Sequence, residues 1–173
     1  MKLLLELKDE DIGEKTKSGP VKKREAVRAV AIKGNKIAFM NVSRHGYHKL
    51  PGGGIEHGES IETALSREML EETGCKIKII LEVGKIIEHR THVSELQTSY
   101  CFIAEVTGLG KPNLDEGELK AGYMLEWTTI DKAIEILEKS RTKTKEKLEN
   151  YIGKFIIKRD LAFIKAAKEI LAH

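Results

Sequence analysis

Several familiar signals are missing from this chain of 173 residues. It has two cysteines, Cys75 and Cys101, both in apolar settings. Two such residues build neither a disulfide framework nor a zinc-type ligand spacing, and a reducing interior is the default compartment. The N-terminal run Met1-Lys2-Leu3-Leu4-Leu5-Glu6-Leu7 is too short for a signal peptide or a membrane span, so a cytoplasmic protein without a membrane partner is expected. A charge of one sign is missing too. The 30 Lys and Arg against 27 Asp and Glu leave +3, too little to predict nucleic-acid binding. There is no internal repeat and no low-complexity segment.

What is present is a mixture of 40% hydrophobic and 33% charged residues, at a length that suits one domain with a sizeable core. Leu3 to Leu7 predicts a short first strand, and residues 8–23, polar with Gly and Pro, a loop. The apolar runs Ala26 to Ile32 and Lys36 to Val42, separated by Gly34-Asn35, predict a hairpin. Strands are expected over Lys76 to Glu82, Val83 to His89, Gln97 to Val106 and Met124 to Thr128, with residues 108–122 as an acidic loop. Thr129 caps a helix marked by Ile130, Ala133, Ile134 and Leu137. Residues 139–150 are read as a charged helix or loop, and Asp160 to Leu171 as an amphipathic helix. Strands with one helix inserted among them and helices at the end suggest an α/β/α sandwich with a mixed sheet.

The most informative segment lies between those strands. Pro51-Gly52-Gly53-Gly54 is a turn where backbone can approach a ligand closely. Ser60 is a good N-cap, Glu59 and Glu62 sit near the positive helix end, and Gly74 supplies the stop. On a wheel of about 100° per residue, Ile61, Ala64 and Leu65 mark the inward stripe, and Glu68 and Glu72 share it with Glu71 beside them. Acids at these spacings repel by about 0.2–0.5 kcal/mol per pair, and by more once desolvated. A hard cation with oxygen ligands, Mg²⁺ or Mn²⁺, resolves that conflict and leaves positions open for phosphate and water.

Written as a pattern, the segment is Gly53, five residues, Glu59, seven residues, Arg67-Glu68-Met69, one residue, Glu71-Glu72, one residue, Gly74-Cys75. It resembles the Nudix box of hydrolases that act on nucleoside diphosphates linked to another group. Met69 and Cys75 stand where that family prefers aliphatic residues. The resemblance implies a Nudix core over about residues 25–138, with 139–173 a C-terminal helical extension of a single domain. It implies Glu68, Glu71, Glu72 and the Gly52 carbonyl as metal ligands, Glu68 or Glu71 as the group that orients or deprotonates water, and Arg67 paired with Glu59 to hold the loop on the helix. A late-loop glutamate is the base in some members, and Glu116 and Glu118 lie in that stretch. Arg44, His45, Tyr47, His48 and Lys49, just before the glycine turn, are candidates to touch substrate, with Arg44, His48 and Lys49 foremost. His89 and His92 are weaker candidates for a two-histidine metal site.

Downstream markers of the family's ADP-ribose and dinucleoside-polyphosphate hydrolases are missing, since Arg90, Thr91, His92 and Val93 fill their places. A nucleoside triphosphate is therefore the first choice of substrate. Expected partners are a nucleotide-type small molecule and, as an option, a second copy of the chain as homodimer. Two competing readings are a catalytically silent Nudix-like binding or regulatory module, which typically has a broken box, and an isoprenoid diphosphate isomerase, which needs a catalytic cysteine.

Overall fold

The computed structural model describes residues 1–173. Its elements follow the chain as β1 (Leu3–Leu7), β2 (Lys22–Lys33), β3 (Lys36–Val42), β4 (Tyr47–Lys49), α1 (Ile61–Thr73), β5 (Lys76–Arg90), β6 (Glu95–Gly108), α2 (Glu116–Ala121), β7 (Tyr123–Thr128), α3 (Ile130–Lys139) and α4 (Lys147–Leu171). Successive strand residues point to opposite faces, and β2 uses this fully. Val27, Ala29 and Ala31 pack with Ala64, Leu65 and Met69 of α1, while Val30 packs into the cluster under α3 and α4. The alanines let α1 lie close. The result is an α/β/α sandwich around one mixed sheet of seven strands. No helix is long and apolar enough to cross a membrane.

The sheet places the site through the way β3 is shared. β7 runs antiparallel along one edge of β3, from Ile37 opposite Thr128 to Val42 opposite Tyr123. A strand has only two edges, so β2 and β4 divide the other. β2 pairs at Lys36 and Ile37, and β4 at Met40 to Val42. Between these two pairings β2 and β3 part, and the chain leaving β4 fills the wedge. On its far side β2 pairs in parallel with β6, which pairs antiparallel with β5, and β5 pairs in parallel with β1.

Three expectations from the sequence need correction. The two strands expected over residues 76–89 are one, β5, bent by irregular register between Ile79 and Leu81 and between Glu82 and Gly84. Such bulges interrupt the alternation that would reveal a single strand. The loop expected over residues 108–122 contains α2, because Asp115 and Glu118 form a reciprocal capping box that offsets Gly117 in the first turn. The helix expected from Asp160 begins thirteen residues earlier, and α4 runs unbroken for 25 residues.

The early half of α4 supplies much of one core. Tyr151, Phe155, Ile156 and Ile157, with Phe163, Ile164 and Ala167 further on, are buried in the cluster that includes Val30, Phe39, Ile86 and Ile103. Burying each large apolar side chain contributes about 1.5–3 kcal/mol, so together they match the ~5–15 kcal/mol stability of a typical domain. Truncation after Ser140 is therefore expected to abolish cooperative folding and drive aggregation. A truncated protein that is soluble and melts at the full-length temperature would refute that role for α4.

Candidate functional site

Residues 50–55 lie along the edge of β2 that β3 has vacated. Ala29 N–H donates to the Pro51 carbonyl at 3.1 Å, Val27 N–H to the Gly53 carbonyl at 2.9 Å, and Ile55 N–H to the Glu25 carbonyl at 3.0 Å. The fit requires glycine. Gly52 has φ +129°, and a Cβ there would lie 2.1 Å from the Val27 carbonyl oxygen. A Cβ on Gly53 would lie 2.4 Å from the Glu68 carboxylate. The loop is thus held between β2 and the inward face of α1.

That helix begins with the Ser60 hydroxyl accepting from Thr63 N–H and ends on Gly74 in the left-handed region, φ +70°. Glu68 and Glu72 are buried among Ala64, Leu65 and Met69. Glu72 Oε2 accepts from Gly52 N–H at 2.8 Å, and its Oε1 lies 2.6 Å from the ammonium of Lys49. Arg67 spreads its guanidinium over the rest, with Nε and Nη2 on the two oxygens of Glu59, Nη2 also on the Gly54 carbonyl, and Nη1 on Glu68 at 2.8 Å and Glu71 at 3.1 Å. Burial raises the pKa of the Glu68 carboxyl against the lowering by Arg67. The Arg67 hydrogen bond lowers that of Glu59. Burial would lower the Lys49 pKa, but Glu72 outweighs it and the ammonium is held above its ordinary range.

A cavity of about 650 Å³ opens above the loop. Three cations line up along three consecutive glycines. Lys49 Nζ lies 3.3 Å from the Gly52 carbonyl, Arg28 Nη1 lies 3.2 Å from that of Gly53, and Arg24 Nη2 comes to 3.3 Å from where a Gly54 Cβ would be. Arg28 is 6% exposed, its Nε has no partner, and burial with Arg159 nearby lowers its pKa to about 10. Arg90 and Lys120 add charge elsewhere on the wall. The cavity's polar character leaves Tyr123 as its one aromatic ring besides His45.

The sequence candidates divide by place. Glu68, Glu72, Gly52 and Lys49 meet at the cavity, with Arg67, Glu59 and Glu71 joined to them along the helix. Arg44 stands at the rim and faces Glu146, the N-cap residue of α4, at 3.8 Å, while His45 is buried and faces Glu149 of α4 at 3.8 Å. Tyr47 is packed under α4 in the core. His48, alternating with its neighbours on β4, stacks on Phe39 and meets Glu126 at 3.1 Å outside the cavity. Glu118 lines the cavity, its carboxyl raised by burial, whereas Glu116 is exposed and pairs with Lys120. His89 and His92 bond separately, to Glu6 and to the Lys15 carbonyl. Arg24, Arg28 and Arg90 were not singled out by the sequence reading. The signal for Arg28 was available, an arginine inside the apolar run Ala26 to Ile32 and in phase with Arg24.

Behind the cavity, α4 anchors the loop. Asp160, fully buried, accepts Leu50 N–H at 2.8 Å on Oδ2 and Arg159 Nε at 2.7 Å on Oδ1. Arg159 reaches Glu88 at 3.5 Å, and Glu88 also takes Arg90 at 2.7 Å together with Gln97 and Ser99. Burial alone would raise the Glu88 pKa, but Arg90 and Arg159 prevail and bring it to about 2.

A divalent ion suits the donors here. They are carboxylate and carbonyl oxygens, hard ligands appropriate to Mg²⁺ or Mn²⁺. Gly53 lacks the Cβ that would fill the space beside Glu68. No three His, Cys, Asp or Glu side chains already converge as a cage, because Arg67 and Lys49 hold the acids.

Comparison with known proteins gives a consistent result. The NUDIX domain model matches residues 22–150. An ADP-ribose pyrophosphatase of Methanocaldococcus jannaschii is 38% identical over 104 residues, covering 56% of this chain and 54% of that one. Mouse diphosphoinositol polyphosphate phosphohydrolase 3-alpha is 33% identical over 96 residues, 51% of each chain. The chain thus spans about half the length of the curated relatives it matches. Among solved structures, the E. coli ORF135 protein superposes with a TM-score of 0.60 over 89% of this chain and 96% of that one, at 19% identity, which shows the shared fold.

Two outcomes follow from this geometry. Gly53→Ala is expected to cost about 1–3 kcal/mol of unfolding free energy in chemical denaturation, because the methyl must displace the Glu68 carboxylate from Arg67. Unchanged stability would refute the close fit. Glu88, with a folded pKa below its ordinary 4.5, contributes stability above about pH 4.5 that is lost as pH falls toward about 2. In a carbon-detected NMR titration its carboxyl signal should stay constant through the range where exposed glutamates titrate. Movement together with them would contradict the ion network.

Proposed function

The chain belongs to the NUDIX domain family, and from that premise we propose that it is a metal-dependent pyrophosphohydrolase cutting a nucleoside diphosphate-linked compound, with a nucleoside triphosphate as first choice. One observation carries the reading. The box carboxylates Glu68 and Glu72 line the same cavity as Lys49, Arg28 and Arg24, so acids able to hold a divalent ion stand beside cations able to meet the phosphates it would bridge. The names of the relatives, an ADP-ribose pyrophosphatase and a diphosphoinositol polyphosphate phosphohydrolase, support phosphate-chain chemistry in general. The row of cations, in a cavity with one aromatic ring besides His45, favours a substrate with more phosphate than the pair being separated.

In this reading Glu68, Glu71, Glu72 and the Gly52 carbonyl hold Mg²⁺ or Mn²⁺. Bound there, the ion supplies charge neutralisation at phosphate oxygens and lowers the pKa of its water. Arg67, pinned by Glu59 and the Gly54 carbonyl, fixes how Glu68 and Glu71 present their oxygens. Lys49, Arg28 and Arg24 bind phosphate, with Arg44 at the rim. Glu68 or Glu71, or Glu118 on the cavity wall, takes a proton from water in this reading.

The assay is a panel of nucleotides with Mg²⁺ or Mn²⁺, run in ¹⁸O-labelled water and read by mass spectrometry. A nucleoside monophosphate should accumulate from the preferred substrate without further breakdown. Glu71→Gln should retain the melting temperature and lose about 100-fold or more in turnover, beyond the 10–100-fold typical of residues that merely support a ligand. Hydrolysis of simple phosphomonoesters at comparable rates, or full activity of Glu71→Gln, would defeat the proposal.

A further inference from the structure

Lys49 holds the very oxygens that the proposed function gives to a metal. Its ammonium is 2.6 Å from Glu72 Oε1, 3.3 Å from the Gly52 carbonyl and 3.4 Å from the Tyr123 hydroxyl, and it lies 4.7 Å from the centre of the Tyr123 ring. The residue is 6% exposed and Glu72 is 2% exposed, so solvent screens their attraction little. We propose that Lys49 is a tethered competitor of the divalent ion. Ammonium and metal exclude each other from the Glu72–Gly52 pair, and the metal settles there as Lys49 transfers to a phosphate of the incoming substrate.

The chemistry of the pair supports this. An ammonium donates three hydrogen bonds and accepts none, so it uses the same lone pairs a cation would coordinate. Two positive ions on one buried carboxylate repel strongly, because little solvent lies between them. The four-carbon stem lets the lysine turn about a fixed backbone, and β4 fixes that backbone by pairing Lys49 with Met40. The Tyr123 ring lies beside the ammonium while it pairs with Glu72 and attracts it independently of the acid. Arg28 and Arg24 continue the row on the side where phosphate would lie, so the displaced charge would join them there on the substrate.

Metal and phosphate thereby become coupled. Metal alone must break the Lys49–Glu72 ion pair with no phosphate to receive the ammonium, whereas metal arriving with a diphosphate supplies one. Each ligand strengthens the other, as linkage requires. This inference rests on the metal-dependent reading above, and the experiment separates the two.

Mn²⁺ binding is measured by calorimetry, without nucleotide, for the wild type, Lys49→Met and Lys49→Arg. Lys49→Met should bind Mn²⁺ about tenfold or more tightly than wild type, within the range of ordinary site coupling, and Lys49→Arg should not. Imidodiphosphate should tighten Mn²⁺ binding more in the wild type than in Lys49→Met. Because Lys49→Met leaves Glu72 without its partner and that variant can fail to fold, the wild type is also followed by NMR of the lysine ε-carbons. The Lys49 signal should move on adding Mg²⁺ with imidodiphosphate. Equal or weaker Mn²⁺ binding by folded Lys49→Met, or a stationary Lys49 signal at saturation, would overturn the role of Lys49 alone. Absence of Mn²⁺ binding in every protein would overturn the metal-dependent reading with it.

Discussion

The hydrogen bond from Leu50 N–H to Asp160 is the constraint on which the site depends. It ties the start of the glycine loop to a helix 110 residues away in sequence, and Arg159 and Glu88 continue the tie to the opposite strands. A buried ion network adds little net stability, because desolvation offsets most of the attraction. Here it sets register. With Asp160 on Leu50 and Arg159 on Glu88, α4 has one rotation about its axis that satisfies both. The loop then has one height relative to α1, at which Gly52 N–H meets Glu72 and Gly53 clears Glu68.

The chemistry-bearing segment was legible in the sequence because its signals are local. Ser60, Gly74 and the apolar positions of α1 fix where the helix starts, stops and faces, and the burial of Glu68 and Glu72 follows from that phase alone. The strands β1, β3 and β7 were legible for the same reason. The rest depends on distant partners. Arg159 and Asp160, read alone, look like the polar start of a helix, and only the strands opposite them make burial affordable. Arg24 and Arg28 gain meaning from the wedge between β2 and β3, which no local pattern encodes.

One expectation changes sign once packing is known. Acids at positions 68, 71 and 72 suggest repulsion, so neutralising Glu71 or Glu72 should relieve strain. That holds no longer for Glu72. Its carboxylate is the partner of a buried ammonium, and removing one member of such a pair costs about 3–5 kcal/mol. The fold tolerates its inward acids because Lys49 and Arg67 are built in beside them.

The shared edge of β3 has a mechanical consequence. Only Ile32–Ile37 and Lys33–Lys36 register β2 against β3, whereas β2 meets β6 over eleven residue pairs and β3 meets β7 over six. The sheet is therefore two stiff plates, β1-β5-β6-β2 and β4-β3-β7, joined at the Gly34-Asn35 hairpin like covers at a spine. The glycine loop, which continues directly from β4, satisfies the edge of β2 that β3 leaves free and so stitches the two plates together beyond the hairpin. Lys49 rides on one plate and the cations of β2 on the other, and Leu50 alone separates Lys49 from Pro51, whose carbonyl is hydrogen-bonded to β2, so the chain itself sets the spacing of the cations across the seam.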